Sequence, residues 1–361
     1  MLERSELKKL FSAVAHANSS APVAYSWNGQ DFSYEQLSET LRNELREYVG
    51  TNYRKYEENK NLIYGLIEET LDDVLPAKTA DFYAKFAEVK QFAQGDKPIF
   101  RRKVSSRLRA KQFITRVGLA GRYEVFKLGG TESFEVPTSA LGGAAQISIE
   151  EFLDGVIDWN ELVAIVMEGM DDIIAQEVAK AMVGAINQLP TANKVTGATG
   201  FQEADFDRLI ATAAAYGAPT VYCSYDFAVK MIPQKQWMYS NEMKNELWQN
   251  GHFANYKGTK VVIIPNGFVD ETNAMRVIDP SYAWIIPGGG DDKPVKIAFE
   301  GGTLVKEHDN DDWSRDIMVY RKVGVVALMT NNICVYRDTA LASARPTANG
   351  IYGEQMVNIN S

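Results

Sequence analysis

Between residues 149 and 189, apolar side chains recur in steps of three and four without a break. They are Phe152, Val156, Trp159, Val163, Val166, Met170, Ile174, Val178, Met182, Ile186 and Leu189. That period marks one face of an α-helix. Ser148 followed three residues later by Glu151 reads as a capping-box start, and Pro190 as the stop. Roughly forty residues at about 1.5 Å each make a helix on the order of 60 Å long. A compact domain has little use for such a length, whereas an elongated one can use it as a spine. Gly155, Gly169 and Gly184 each weaken the helix by about 1 kcal/mol relative to alanine.

Composition frames that helix. The chain has 361 residues, with 38 Lys and Arg against 47 Asp and Glu, for a formal net charge of −9. At about 150 residues per domain, this length suggests about two domains. A hydrophobic content of 45% and a charged content of 24% exclude a mainly disordered or fibrous chain. Net acidity argues against a dedicated nucleic-acid binder, which would be basic. Cys223 and Cys334 are too few and too distant for a disulfide scaffold. A reducing compartment fits them, with room for one buried disulfide. The N-terminus, MLERSELKKLFSAVAHANSS, lacks the roughly 7–15-residue apolar core of a secretion signal. No run approaches the about 18 apolar residues of a spanning helix. The expectation is a soluble product retained in the cell that makes it.

The first quarter of the chain reads as charged helices. Leu2, Leu7, Leu10, Phe11 and Val14 form a short stripe, and a second helical run begins at Asp31–Glu35. Leu37, Leu41, Leu45, Tyr48 and Val49 continue it, and Leu62, Ile63, Leu66, Ile67, Leu71 and Leu75 carry the pattern to Pro76. This region is thin in apolar mass. It suggests an extended arm that packs on something else, with a small helical subdomain of the same chain as the alternative. Residues 97–127 hold ten bases and a single acid, Glu124. Strand-like runs broken by Gly118, Gly121, Gly129 and Gly130 suggest a long β-hairpin. A hairpin alone is marginal in water, so this one needs a partner surface, and that surface should be acidic.

Beyond Pro190 the texture alternates. Helices are expected at 203–217, 225–232 and 234–249. Strands are expected at 220–224, 259–264, 275–278, 282–286 and 294–299. Two long strands follow at 315–323 and 324–337, with Gly324 as a bend. The tail after Ala340 is polar. No internal repeat is visible.

No catalytic signature is present. There is no G-x-x-x-x-G-K-[ST], no G-x-S-x-G and no G-x-G-x-x-G between a strand and a helix. Gly288–Asp292 is glycine-rich but reads as a surface turn. His16, His252 and His308 have no metal spacing. The run Glu307–Asp312 offers oxygens to a divalent cation but lacks the EF-hand glycine and terminal glutamate. It reads better as a solvated or interface loop. Cys223 and Cys334 sit in apolar strands as small hydrophobes. Glu68-Glu69 and Asp171-Asp172 read as solvated helix faces. Charge, however, is segregated. Glu300, Glu307, Asp309, Asp311, Asp312 and Asp316 cluster around Trp313, far in sequence from the basic stretch. Such patches suit association between copies, unless they face each other within one subunit or merely solvate it.

Over roughly residues 97–340 the chain resembles the major capsid proteins of tailed bacteriophages, with the Hong Kong 97-type fold. The resemblance rests on element order and on three stretches. These are YKGTKVVIIPN at 256–266, IDPSYAWI at 278–285 and DIMVYRKVGVVAL at 316–328. It implies an α+β fold with a helical N-terminal arm (1–96) and an extended β-hairpin loop (97–146). A peripheral domain (147–205 and 293–325) would contain the spine helix 149–189. An axial domain (206–292 and 326–340) and a C-terminal tail (341–361) would complete it.

The function implied is a head protein that self-assembles into an icosahedral shell around double-stranded DNA, with no catalysis, no cofactor and no metal. The alternatives are an encapsulin-type nanocompartment shell, a tail or scaffold component of the same particle, and a soluble α/β enzyme with its site near 259–265. Partners would be copies of the chain in pentamers and hexamers, with scaffolding, portal and decoration proteins. DNA would be enclosed without sequence-specific binding, and no membrane is involved. The chain would reside in the virion after assembly in the host cytoplasm. Expected interface residues are Lys97, Arg101, Arg102, Lys103, Arg107, Arg109 and Lys111 on the hairpin. Glu307, Asp309, Asp311 and Asp312 would lie on the surface it meets.

Overall fold

A computed structural model describes residues 4–17, 25–27, 30–49, 53–84, 86–102, 132–148, 159–232, 241–264, 266–268, 272–273, 276–288, 293–310, 314–328 and 332–341. The fold is a mixture of helices and sheets. In chain order the elements are α1 (Arg4–Ala17), β1 (Tyr25–Trp27), β2 (Gln30–Phe32), α2 (Tyr34–Val49), α3 (Tyr53–Phe82), β3 (Ala87–Phe92), β4 (Ile99–Arg102), β5 (Glu132–Glu135), β6 (Ser139–Ser148) and α4 (Trp159–Gly184). There follow β7 (Lys194–Ala198), α5 (Glu203–Ala214), β8 (Pro219–Cys223), α6 (Tyr225–Lys230), α7 (Asn241–Asn250), β9 (Asn255–Tyr256), β10 (Thr259–Ile263), β11 (Tyr282–Pro287), β12 (Val295–Asp309), β13 (Ser314–Ala327) and β14 (Cys334–Asp338). The chain divides into two compact units, Met1–Met170 with Lys296–Val325 and Asp171–Val295 with Val326–Ser361.

In the first unit, α1, α2 and α3 pack on one another. Leu7, Leu10, Phe11 and Val14 of α1, Leu37, Leu41 and Leu45 of α2, and Ile63, Leu66, Ile67 and Leu71 of α3 are all buried. Each such side chain contributes about 1.5–3 kcal/mol when fully buried, so the segment has a core of its own. The apolar stripes of the three helices are thus buried against one another. Ser33 and Gln36 cap α2 reciprocally. The Ser33 amide donates to Gln36 Oε1 (3.1 Å) and the Gln36 amide to Ser33 Oγ (3.4 Å).

Helix α3 does not stop at Pro76 but runs to Phe82. A proline there leaves the carbonyl four residues earlier without its helical donor. That carbonyl, on Asp72, accepts from the Gln91 side chain of β3 at 3.4 Å. Besides the two-stranded pairs β1-β2 and β4-β5, this unit has a four-stranded sheet of order β3-β12-β13-β6. Strand β12 is far longer than the 294–299 segment expected. Strand β13 passes straight through Gly324, where a bend was expected. A Cβ at Gly324 would clash with the Pro137 carbonyl oxygen, so the glycine serves close approach of another backbone rather than a turn.

Helix α4 carries the long apolar stripe. Met167, Met170, Ile174, Val178 and Met182 are buried at helical spacing, and Ile186 and Leu189 continue the row. The α-helix ends at Gly184 and tightens into a 3-10 turn over Ala185–Gln188. Residues 149–158, expected to begin the helix, lie outside the described residues.

The second unit is built on a sheet of order β7-β14-β11-β8-β10-β9 among the described residues. Phe206 of α5, Phe227 of α6, Tyr256 and Tyr336 form its aromatic centre with Phe201, at ring separations of 5.2–6.3 Å. Both cysteines are free and buried. Strand β11 separates them, with Ala283 paired to Cys223 and Ile285 to Cys334. Two strand spacings, about 9–10 Å, exceed the reach of a disulfide. The strand expected at 275–278 is a single antiparallel bridge, Phe268 to Arg276. Here the Asn266 side chain replaces a ladder, donating to the Ile278 carbonyl (2.8 Å) and accepting from its amide (2.9 Å).

Candidate assembly interface

Strands β4 and β5 form the base of the expected hairpin. They pair antiparallel, with Ile99 opposite Glu135, Phe100 opposite Phe134 and Arg101 opposite Ser133. Alternation turns Phe100 inward, where it is fully buried and meets Phe92 at 5.7 Å. It turns Ile99 and Arg101 outward to solvent. Lys97 is exposed and lies 3.5 Å from Glu135 of the same hairpin. Arg102 ends β4. Lys103, Arg107, Arg109 and Lys111 lie outside the described residues.

The acidic row occupies the β12–β13 turn. Asp309 is exposed, with one oxygen 3.1 Å from Arg315 Nε. Glu307 is half-buried with its side chain turned inward, paired with Arg315 and with Lys60 at 3.1 Å. Asp311 and Asp312 lie outside the described residues. Among the described residues, Glu307 and Asp309 therefore meet Arg315 and Lys60, not Lys97 or Arg101.

Arg315 belongs to a charged seam that the sequence reading missed. On β13, residues 315, 317, 319, 321 and 323 are buried and the residues between them are more exposed. Two of those inward positions are arginines. Arg315 also pairs with Glu57 and donates to Tyr53 Oη (2.9 Å). Arg321 contacts Asp72 (3.0 Å), the Leu71 carbonyl (3.0 Å) and Thr303 Oγ1 (3.1 Å). Asp72 accepts from the Thr303 amide and hydroxyl at 2.7 Å each, and Glu68 from the Val305 amide at 2.7 Å. Glu57, Lys60, Tyr64, Glu68 and Asp72 recur every three to four residues, so they form one stripe of α3. Glu68 is thus no solvated carboxylate. It satisfies a strand amide.

Burial pushes the Glu57 carboxyl up, but hydrogen bonds from Lys60 and Arg315 outweigh that and hold it below its ordinary value. Glu88 is lowered likewise, with Lys296 and Lys90 overcoming burial. Lys296, itself buried, reaches Glu88 at 2.6 Å. Burial raises Tyr56 to about 12. The available signal was parity. Arginines at the same alternation as Ile317 and Val319 must be buried, and a buried arginine requires carboxylate partners.

No group of three or more His, Cys, Asp or Glu able to hold a metal occurs among the described residues. Burial raises both cysteine thiols to about 12, far from a nucleophile's range. No helix among the described residues is long and apolar enough to cross a membrane.

Residues 6–336 match the family described as "SPbeta prophage-derived putative capsid protein YonB". A curated relative, the SPbeta prophage-derived uncharacterized protein YonB of Bacillus subtilis (strain 168), is 20% identical over 289 residues, covering 77% of this chain and 84% of the relative. Similar solved structures include a virus-like particle from Pyrococcus furiosus, at 12% identity and a TM-score of 0.44, covering 76% of this chain and 99% of that one. Another is from Microbacterium phage Oxtober96, at 12% identity and a TM-score of 0.46, covering 71% and 90%. A third is the mature capsid of bacteriophage PhiM1, at 10% identity and a TM-score of 0.45, covering 72% and 87%. The family match carries the assignment.

Proposed function

This chain belongs to the YonB family of prophage-derived capsid proteins, and on that premise we propose that it is the major subunit of an icosahedral phage head enclosing double-stranded DNA. That it is a capsid protein of phage type rests on the match over residues 6–336, which is the observation that carries the reading. The role is structural and non-enzymatic. Copies join head to tail into closing rings of five and six, and rings join into a shell that becomes part of the virion after assembly in the host cytoplasm. Scaffolding, portal and decoration proteins are its further partners.

In this reading 97–146 is the extended loop, 147–205 with 293–325 the peripheral domain, and 206–292 with 326–340 the axial domain. The loop's bases, Lys97, Arg101, Arg102, Lys103, Arg107, Arg109 and Lys111, meet acids on a neighbouring copy. The exposed Asp309, with Asp311 and Asp312, suits that role. Glu307 sits beneath and is already neutralised by Arg315 and Lys60. Opposite charge raises encounter rates and fixes register more than it adds affinity. The acidic chain leaves packaged DNA loosely held, because phosphate binding requires Lys and Arg.

Electron microscopy of purified particles, with assay of their contents, tests the function. Shells holding DNA are expected, and shells holding a cargo protein instead would mark a nanocompartment. Reversing Arg101, Arg102 and Lys103 to Glu should leave the fold intact by circular dichroism and stop shell formation. Normal shells from that variant would remove the loop's bases from the interface.

A further inference from the structure

We propose that the outer edge of β6 is a docking edge for an extended segment of a second copy, which adds a fifth strand to the sheet β3-β12-β13-β6. The inference rests on the capsid reading and adds a specific surface to it. Strand β6 pairs with β13 over its full ten residues without a register shift, from Ser139 opposite Val323 to Ser148 opposite Ser314. It lies at the end of the sheet order, so among the described residues its other row of amides and carbonyls has no strand beside it.

Natural sheets guard such an edge with charge, proline, a bulge or a covering helix. Strand β3, at the opposite edge, follows that rule with Glu88 and Lys90. Strand β6, SALGGAAQIS, contains no charged residue and no proline. Gly142, Gly143 and Ala144 are exposed in succession. Successive residues face opposite sides of a sheet, so the strand is open on both sides at its middle.

The neighbouring strands add apolar surface on one side. Met318 is 38% exposed opposite Ala144, and Tyr320 is 37% exposed opposite Gly142. Gly142 and Ala144 leave both side chains uncovered toward the edge. An edge that is long, neutral and lined by small residues accepts a strand by main-chain hydrogen bonds. It also places no like charges opposite one another when the strand comes from an identical chain. A chain that works alone would aggregate through it, whereas a shell subunit has copies of itself to cover it.

Hydrogen exchange read by mass spectrometry on the free subunit and the assembled particle tests this. About half of the 139–148 amides point away from β13. They should exchange fast in the subunit and at least tenfold slower in the particle. Equal rates in the two states would overturn the inference. Ala140→Lys with Ala144→Lys, both exposed positions, should preserve the circular dichroism of the subunit and lower particle yield at least tenfold. Normal yield from that variant also overturns the inference while leaving the capsid reading intact. A wild-type chain that stays monomeric at every concentration overturns both.

Discussion

The six-stranded sheet of the second unit is covered by rings and aliphatic side chains, whereas in the four-stranded sheet of the first unit two paired arginines share the inward row of β13 with Ile317, Val319 and Val323. Around Phe206, Phe227 and Tyr336 the polar atoms are few and local. The Tyr336 hydroxyl donates to the Gly200 carbonyl and accepts from the Gln202 amide. Against β12 and β13, helix α3 instead presents Glu57, Lys60, Glu68 and Asp72. Its apolar face is already committed to α1 and α2. The two arrangements differ in what a single loss exposes. Removing a ring leaves a cavity. Removing one member of an ion pair leaves a desolvated charge. Buried pairs add little net stability over apolar contacts but are costly to break singly. They fix which strand positions a helix can meet, and β12 keeps its register against α3 because two of its amides have carboxylate acceptors.

This contrast can be broken by substitution. Phe206→Ala should cost about 3–5 kcal/mol in denaturant unfolding, and no second substitution nearby should restore it without refilling the volume. Asp72→Ala should cost about 3 kcal/mol by leaving Arg321 unpaired. Adding Arg321→Met should then recover most of that loss. Equal costs for the single and the double variant would mean that the pair does not act as a unit.

Gly324→Ala should cost about 1–3 kcal/mol, because the new methyl meets the backbone of Pro137 rather than a mobile side chain. Thermal unfolding checks it, and an unchanged midpoint would mean that the 136–138 segment moves aside freely.

The smallest effect is in pH. Glu57 and Glu88 have folded-state pKa values below their ordinary 4.5. Their contribution is complete above about pH 4.5 and is lost as pH falls through the lowered values. In the second unit, the hydrogen bonds that Lys257 donates to Asp207 and Glu203 raise its pKa above 10.5. That contribution is complete below 10.5 and is lost as pH rises through the raised value. Acid should therefore speed exchange in α3 around Glu57 and in β3 around Glu88 before it affects β8 and β11, and strong alkali should reverse the order. Simultaneous loosening of both sheets in acid would refute the assignment.

Much of the fold was legible because period reports local geometry directly. Helix α4 was visible from its stripe, α5 and α6 from their breaks, and β8, β10 and β11 from short apolar runs ended by Pro and Gly. Segregation of charge was also legible, since it is a property of composition along the chain. What failed was every inference that needed to know which element lies opposite which. Pro76 looked like a stop because its vacated acceptor is filled by Gln91, fifteen positions on. Glu68 looked solvated because its partner is the amide of Val305, 237 residues away. The partner of Glu307 was hidden because Arg315 enters from the next strand.

By itself the sequence determined where helices and strands form, that the thiols are buried, and that bases and acids stand in separate blocks, all of which follow from side-chain period and polarity over a few neighbours. Tertiary structure alone decided which charges are spent inside the chain and which remain outside, and which strand edge is left open. Pairing energies depend on distances of a few ångströms between residues that the chain separates by hundreds of positions.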